Sequence, residues 1–263
     1  LAFGIKPVGA VDWFGERPYG KWPWTNQRWG QDRPEVVGQR DEYNLEQIAK
    51  LKPDLILAQY SGMREDQYSK LSAIAPTVAQ SPRFDGYKAP WQEMTRMVGR
   101  SLGQEKRAEE LIGGVEQRFA EVRRNHPEFS EQKLALVDSY KPGVFGAFSP
   151  KDSKSMFMRE LGFQPAEGLN RMVGDKDVAE FGFEQLHLLD VDRLVWMTSD
   201  EASAEAVRSS NLYQRLDVVK QNRDVFLSYQ DPPVGAAISF NTVLSIPYAI
   251  DQVVPQLAEK TGN

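Results

Sequence analysis

The stretch EQIAKLKPDLIL, Glu46 to Leu57, returns in altered form as EQLHLLDVDRLV, Glu184 to Val195. At one constant offset Glu46, Gln47, Ile48, Leu51, Asp54, Ile56 and Leu57 meet Glu184, Gln185, Leu186, Leu189, Asp192, Leu194 and Val195. Each copy reads as a short helix followed by a buried strand. Ile48 and Leu51, like Leu186 and Leu189, lie three apart on one helical face, while LILA and LVWM are short apolar runs suited to a sheet covered on both faces. The Asp marks the turn between the two elements, and Pro53 ends the first helix because it lacks an amide donor and restricts the residue before it. Helix-turn-strand units of any α/β protein share apolar positions of this kind. The Glu-Gln pair opening both helices, with an Asp at the same later position, points further, to duplicated architecture. A repeat so widely spaced implies two similar lobes rather than a solenoid, whose periods are about 20–50 residues.

Outward from the first copy, Ile5 to Val78 reads as a strand, a long aromatic loop to Gln39, a helix from Leu45, a strand from Leu55, a helix around Asp66 to Ile74, and the edge strand PTVAQ. Around the second copy the rhythm restarts: KLALVDSY as strand, a helix near Ser155 to Leu161, a helix near Leu212 to Leu216, DVFLS as strand, and a helix in SIPYAIDQVVPQLAEK. Between them Met94, Met97 and Val98 form one apolar stripe, and Ala108, Leu111, Ile112, Val115, Phe119 and Val122 another. The second stripe predicts a helix from about Gln104 to Asn125, roughly 33 Å long at 1.5 Å per residue, stopped by Pro127. Alternating strands and helices predict parallel sheets. The expected fold class is α/β, with two doubly wound lobes of mainly parallel sheet joined by a single long α-helix. The expected division is 1–103, 104–126 and 127–263, the C-terminal helix packing back toward the N-terminal lobe. Ligands of open α/β sheets bind outside the carboxyl ends of the strands, so two lobes with those ends facing would enclose a ligand cleft.

Composition narrows the function classes. The chain has 263 residues, 41% hydrophobic and 26% charged, with a formal net charge of −5; this acidic balance argues against nucleic acid, whose phosphates select basic surfaces. No apolar run approaches the ~20 residues of a membrane helix. Cysteine is absent, which excludes disulfides, thiolate metal sites and a Cys nucleophile. With His126 and His187 as the two histidines, no protein-built metal site is expected. LAFG reads as the last turn of a helix ended by Gly4. A strand and most of a helix, together with any export signal or lipid anchor, are therefore expected ahead of Leu1.

The loop after the first strand, DWFGERPYGKWPWTNQRWG, holds Trp13, Trp22, Trp24 and Trp29. Broad aromatic faces in a Gly- and Pro-rich loop suit either a small cluster beneath the loop or a binding surface. Arg40 precedes the helix capped by Asn44, and Tyr60 follows the second strand; an Arg offers a planar donor fork for oxyanions, unless Asp41 or Glu42 engages it as a surface pair. Arg64 adds positive charge nearby. In the second lobe Tyr140, Phe145, Phe148, Lys151, Phe181, Phe183 and Tyr229 follow strands or precede the repeated helix, the phenylalanines inclining to the core. No G-x-G-x-x-G, Walker loop, G-x-S-x-G elbow or H-E-x-x-H is present, and His187 falls within an apolar-spaced helix as a surface or packed residue.

From LAFGIKPVG through NLEQIAKLKPDLILAQYS and LSAIAPTV to SIPYAIDQVVPQLA, the chain resembles the iron-siderophore substrate-binding proteins of bacterial ABC importers, whose two lobes are joined by a long helix. The resemblance implies a non-enzymatic, extracytoplasmic monomer, in the periplasm or held at the cell surface as a lipoprotein. It would capture a ferric siderophore and deliver it to an ABC importer permease. It implies no intrinsic cofactor and no protein metal ligands, ferric iron arriving inside its chelator. Glu46 and Glu184 are similar to the helix-opening glutamates that dock on permease arginines. Arg40 matches the hydroxamate-contacting Arg, and Tyr60 a nearby Tyr. Trp13, Trp22, Trp24, Arg64, Tyr140, Phe148, Phe181 and Tyr229 complete the expected ligand surface, Phe181 or Phe183 standing where some relatives carry a Trp. Haem or cobalamin is the alternative ligand, and a two-lobed enzyme such as a nucleotide-sugar transferase the alternative class.

Overall fold

In the computed structural model, which describes residues 1–13, 17–141 and 143–259 without the side chains of Tyr140 and Lys141, the chain divides into two compact units, Leu1–Gly114 and Val115–Asn263. The first contains β1 (Gly9–Asp12), α1 (Asn26–Trp29), β2 (Glu35–Gln39), β3 (Glu42–Tyr43), α2 (Leu45–Leu51), β4 (Ile56–Ala58), α3 (Glu65–Ser72), β5 (Thr77–Ala79) and α4 (Trp91–Ser101). β1 pairs parallel with β2, β2 antiparallel with β3, and β4 parallel with β5. Val37, Ile48 and Leu71 are buried where β2, α2 and α3 meet, with Val11, Leu51 and Ile56 packed against them.

The segment expected as loop up to Gln39 is more ordered than its composition suggests. Its end forms β2, in which Val37 is buried while Val36 is exposed, the alternation of a strand with one covered face. Its middle folds on its own aromatics: Tyr19, Trp22 and Trp29 are buried around Thr25, whose hydroxyl accepts from the Trp22 amide at 2.8 Å and donates to the Gly20 carbonyl at 2.6 Å. The strand of the first copy also departs from expectation. β4 is only partly buried, and Leu57 is 42% exposed.

A 21-residue helix, α5 (Glu105–Asn125), carries the chain from the first unit into the second. Ala108, Ile112, Val115, Phe119 and Val122 form its buried stripe, and His126 and Pro127 follow its end.

The second unit continues with β6 (Lys133–Lys141), β7 (Val144–Phe148), α6 (Ser153–Leu161), β8 (Gln164–Pro165), α7 (Glu167–Val173), β9 (Val178–Phe181), β10 (Arg193–Thr198), α8 (Glu201–Arg208), α9 (Asp217–Lys220), β11 (Asp224–Ser228), α10 (Val234–Phe240) and α11 (Ser245–Glu259). Strand order is β11-β10-β6-β7-β9, with β8 joining β6 at its start. β11, β10 and β6 run parallel, β7 pairs antiparallel with β6, and β9 pairs antiparallel with β7. β10 is buried at every position, as LVWM requires. β7 and β9 lie in segments read as connections, because Gly and Ser around their aromatics imitate loop composition.

The second copy of the repeat differs from the first in its helix. Asn44 caps α2 by accepting from the Gln47 amide at 3.0 Å, but Phe183–Leu189 follows Gly182, has no side-chain cap and winds as a 3₁₀ helix. The carboxylate after it, Asp190, instead accepts from the Val218 amide at 2.8 Å, at the start of α9. Asp192, the repeated turn residue, accepts from the Lys133 amide at 2.8 Å and ties the turn to β6. The helix expected near Leu212 is a 3₁₀ turn, Tyr213–Arg215, before α9. Among the described residues no helix is long and apolar enough to cross a membrane.

Candidate ligand-binding site

Four strand ends of the first unit deliver side chains to one aromatic cluster. Trp13 directly follows β1, Arg40 follows β2, Tyr60 lies two residues beyond β4, and Tyr87 sits in the connection after β5. The Trp13 and Tyr60 ring centroids are 5.2 Å apart, Trp13 and Tyr87 5.6 Å at 86°, and Tyr60 and Tyr87 5.1 Å. All three rings are partly exposed, so the cluster keeps apolar surface open to a ligand while the edge-to-face contacts fix ring orientation.

Arg40 lies over this cluster, its guanidinium 5.0 Å from the Trp13 ring centroid. It occupies the two-residue turn between β2 and β3 with φ 51°, and its amide donates to the Asp12 carbonyl at 2.8 Å. Left-handed backbone in a non-glycine residue costs about 1–3 kcal/mol and persists where surrounding structure enforces it. Neither Asp41 nor Glu42 pairs with the Arg40 guanidinium, and no carboxylate of the described residues forms a salt bridge with it. Its donor fork is therefore presented over an aromatic face.

Asp41, the next residue, is occupied elsewhere. Its carboxylate accepts from the Gly62 amide at 3.0 Å, from the Tyr43 hydroxyl at 3.3 Å and from the Tyr87 hydroxyl, while its carbonyl accepts from the Gln67 side chain at 2.6 Å. Burial, reinforced by Asp41, pushes the Tyr43 and Tyr87 phenols each up to about 12, so both remain donors well above neutral pH. Tyr87 also has left-handed backbone, φ 63°, and its amide donates to Gln80 at 3.0 Å. The sequence does not mark Tyr87, and it offers Asp41 only as a surface pair for Arg40. Nothing local to SPRFDGYKAP marks its Tyr, although the Asp-Gly step before it is a turn signal.

The remaining expected residues are distributed differently. Trp22, only 5% exposed, packs within the loop's own small core, with Trp24 stacked on it at 5.1 Å and 2° and Arg17 at 5.5 Å from its ring. Arg64 is exposed at the start of α3 and pairs with Asp66 at 3.1 Å. In the second unit Phe181 is 5% exposed because its face of β9 turns onto Phe145 and the sheet core. Phe183 packs against the same core. Tyr140 is the last residue but one of β6, and its side chain lies outside the described residues. Phe148 is partly buried, with the Lys154 ammonium 4.1 Å from its ring centroid. Lys154 also pairs with Asp152 at 2.8 Å. The Tyr229 hydroxyl donates to Asp138 at 2.8 Å. Burial raises the Asp138 carboxyl above its ordinary range against the opposing effects of Tyr229 and Lys154, and raises the Tyr229 phenol likewise. Glu46 is exposed and pairs with Lys50 at 2.8 Å, and Glu184 is exposed at the second helix start. Among the described residues no group of three or more His, Asp or Glu is arranged to hold a metal ion.

Residues 10–229 match the family model described as periplasmic binding protein. In structure the chain is similar to a periplasmic solute binding protein from Mycobacterium smegmatis, at 31% identity and a TM-score of 0.86 over 99% of this chain and 88% of that one. It is similar also to PiaA of Streptococcus pneumoniae in complex with ferrichrome, at 26% identity and a TM-score of 0.80 over 98% and 88% of the two chains. In sequence it is 27% identical over 235 residues to the Bacillus subtilis protein named Probable siderophore-binding lipoprotein YfiY, covering 84% of this chain and 68% of that protein.

Proposed function

This chain belongs to the periplasmic binding protein family, and on that premise we propose that it captures a ferric siderophore of the hydroxamate type outside the cytoplasm and delivers it to an ABC importer. It is a substrate-binding protein and not an enzyme. The observation that carries the ligand class is the partly exposed triad of Trp13, Tyr60 and Tyr87 beneath an Arg40 guanidinium that no carboxylate of the described residues engages.

A ferric siderophore presents an apolar shell around a core of iron-bound, partly anionic oxygens. Aromatic faces shelter the shell, and a guanidinium fork donates to the oxygens with charge-assisted strength. The iron is cargo, already coordinated by its chelator, so this chemistry asks no intrinsic cofactor and no metal ligand of the protein. A strongly anionic ligand would call for several cations. One guanidinium over three aromatic rings suits a larger, less charged complex, and the ferrichrome bound by the similar PiaA supports that class. Arg40, Trp13, Tyr60 and Tyr87 are the principal contacts in this reading. Trp24 and Arg64 are further contacts of the first unit in this reading, Phe148 is a candidate of the second unit by itself, and Trp22, Phe181 and Tyr229 serve by holding their surroundings. Glu46 and Glu184, exposed at the two repeated helix starts, are the permease footings. The chain works as a monomer, tethered as a lipoprotein as the name of YfiY describes for that relative, with 1–103 and 127–263 as lobes and 104–126 as the connecting segment.

Tryptophan-fluorescence titration with ferrichrome, a ferric catecholate, ferric citrate, haem and cobalamin tests the assignment. Saturable quenching by ferrichrome at micromolar concentration or below, corrected for ligand absorbance, is the expected result. Preference for haem or cobalamin would move the chain to another ligand class, and no response to any ligand would overturn the reading.

A further inference from the structure

Arg40 and Asp41 are adjacent, oppositely charged and placed on a two-residue turn, the arrangement in which a local ion pair would be the simplest outcome. The pair does not form. Three donors from outside the turn hold the Asp41 carboxylate: the Gly62 amide, the Tyr43 hydroxyl and the Tyr87 hydroxyl. The Gln67 side chain fixes the Asp41 carbonyl as well. The left-handed Arg40 backbone and its amide bond to Asp12 secure the other side of the turn. The guanidinium consequently rests on Trp13 instead of on the neighbouring carboxylate.

We propose that Asp41 is a positioning residue whose tyrosine partners keep its carboxylate away from Arg40, leaving the Arg40 fork available for the anionic, iron-bound oxygens of the ligand. The inference rests on the reading that Arg40 contacts the ligand. Without the two hydroxyls, Asp41 retains one amide donor, and the residue next to it in the chain carries a guanidinium that no carboxylate of the described residues engages. An Arg40–Asp41 pair would then compete with the ligand for the same donors. The two tyrosines thus act on affinity through Asp41, in addition to any surface that Tyr87 gives the ligand through its ring. Their hydroxyls are committed to Asp41, so their role differs from that of a phenol donating to the siderophore.

The test is ferrichrome affinity for Tyr43→Phe/Tyr87→Phe, for the same protein carrying Asp41→Asn in addition, and for Arg40→Ala, with near-ultraviolet circular dichroism to establish that each is folded. The tyrosine double variant should bind about three- to fivefold more weakly than the parent at low salt, the effect of an exposed ion pair. The difference should shrink toward none at about 1 M salt, where charges are screened within ~3 Å. Adding Asp41→Asn should restore the lost affinity, because an amide cannot form the competing pair. A double variant that binds like the parent overturns the proposal, as does a loss that neither salt nor Asp41→Asn relieves. If Arg40→Ala binds like the parent, the ligand-contact reading fails and this inference falls with it. Weakened Arg40→Ala beside an unaffected double variant would sink the inference alone.

Discussion

Arg40 concentrates the chemistry of the first unit in one side chain. It combines strained backbone, an aromatic face beneath its guanidinium, and neighbours that leave its donors uncommitted. A hydrogen bond to a charged group contributes about 1.5–3 kcal/mol, so Arg40→Ala should weaken ferric hydroxamate binding about 10- to 100-fold. The thermal midpoint should change little, because the side chain is exposed; a titration set beside a melting curve separates the two effects. Tyr87 permits a pH prediction. Its phenol is pushed from 10.0 to about 12, so the folded state favours the neutral form. The associated stability is complete below pH 10 and is lost as pH rises through about 12. Spectrophotometric titration of Tyr87→Phe should therefore show one fewer tyrosinate near a midpoint of 12, the Tyr43 component remaining. Loss of a component near 10 would show that burial and Asp41 do not act on this group as described. Arg40 could be found from the sequence by its place beside a capped helix. Tyr87 could not, since its importance depends on Asp41, 46 residues away.

Among the elements, the β2–β3 hairpin matters most, because its turn presents both Arg40 and Asp41. Gly38 makes the hairpin possible: with φ 155° it lies so close to β3 that a Cβ would run into the Glu42 carbonyl. Gly38→Ala should destabilise the protein by more than about 1 kcal/mol, visible in a denaturant midpoint. It should also weaken ligand binding, since the turn would shift. An unchanged midpoint would mean that the hairpin accommodates the methyl group by moving, and would remove its claim to rigidity. The sequence disclosed α5 clearly, because a stripe at helical spacing over about four turns has no competing period. It concealed β2, β7 and β9, whose few residues carry glycines or lie among turn formers, so that local composition outweighed a weak alternation.

On the scale of the molecule, the repeated Glu-Gln segments begin two helices of different kinds, one capped α-helix and one uncapped 3₁₀ helix. What the two copies preserve is the exposed Glu at each start, followed by a turn and a strand. If these glutamates serve as permease footings, Glu46→Ala with Glu184→Ala should leave ferrichrome affinity within about twofold while sharply reducing uptake through the cognate importer. Uptake assayed in vesicles carrying that permease decides this, and undiminished transport would detach the repeat from docking. Helix N-termini favour acidic residues through the macrodipole, which accounts for each Glu singly; its effect is local to one terminus and does not require the two copies to match.

The sequence by itself determined the α/β class, the long helix, the repeated helix-strand unit, the strand-end positions of Trp13 and Tyr60, and the place of Arg40 ahead of a capped helix. These depend on periodicity and on residues close along the chain. Only the tertiary structure decided that Trp22 packs inside its loop while Trp13 joins Tyr60 and Tyr87, that Phe181 faces the core, and that Asp41 turns to Tyr87 instead of Arg40. Burial and hydrogen-bond partnership arise from contacts between residues far apart in sequence. Which of two nearby charges stays available to a ligand is settled by those contacts and not by the order of residues.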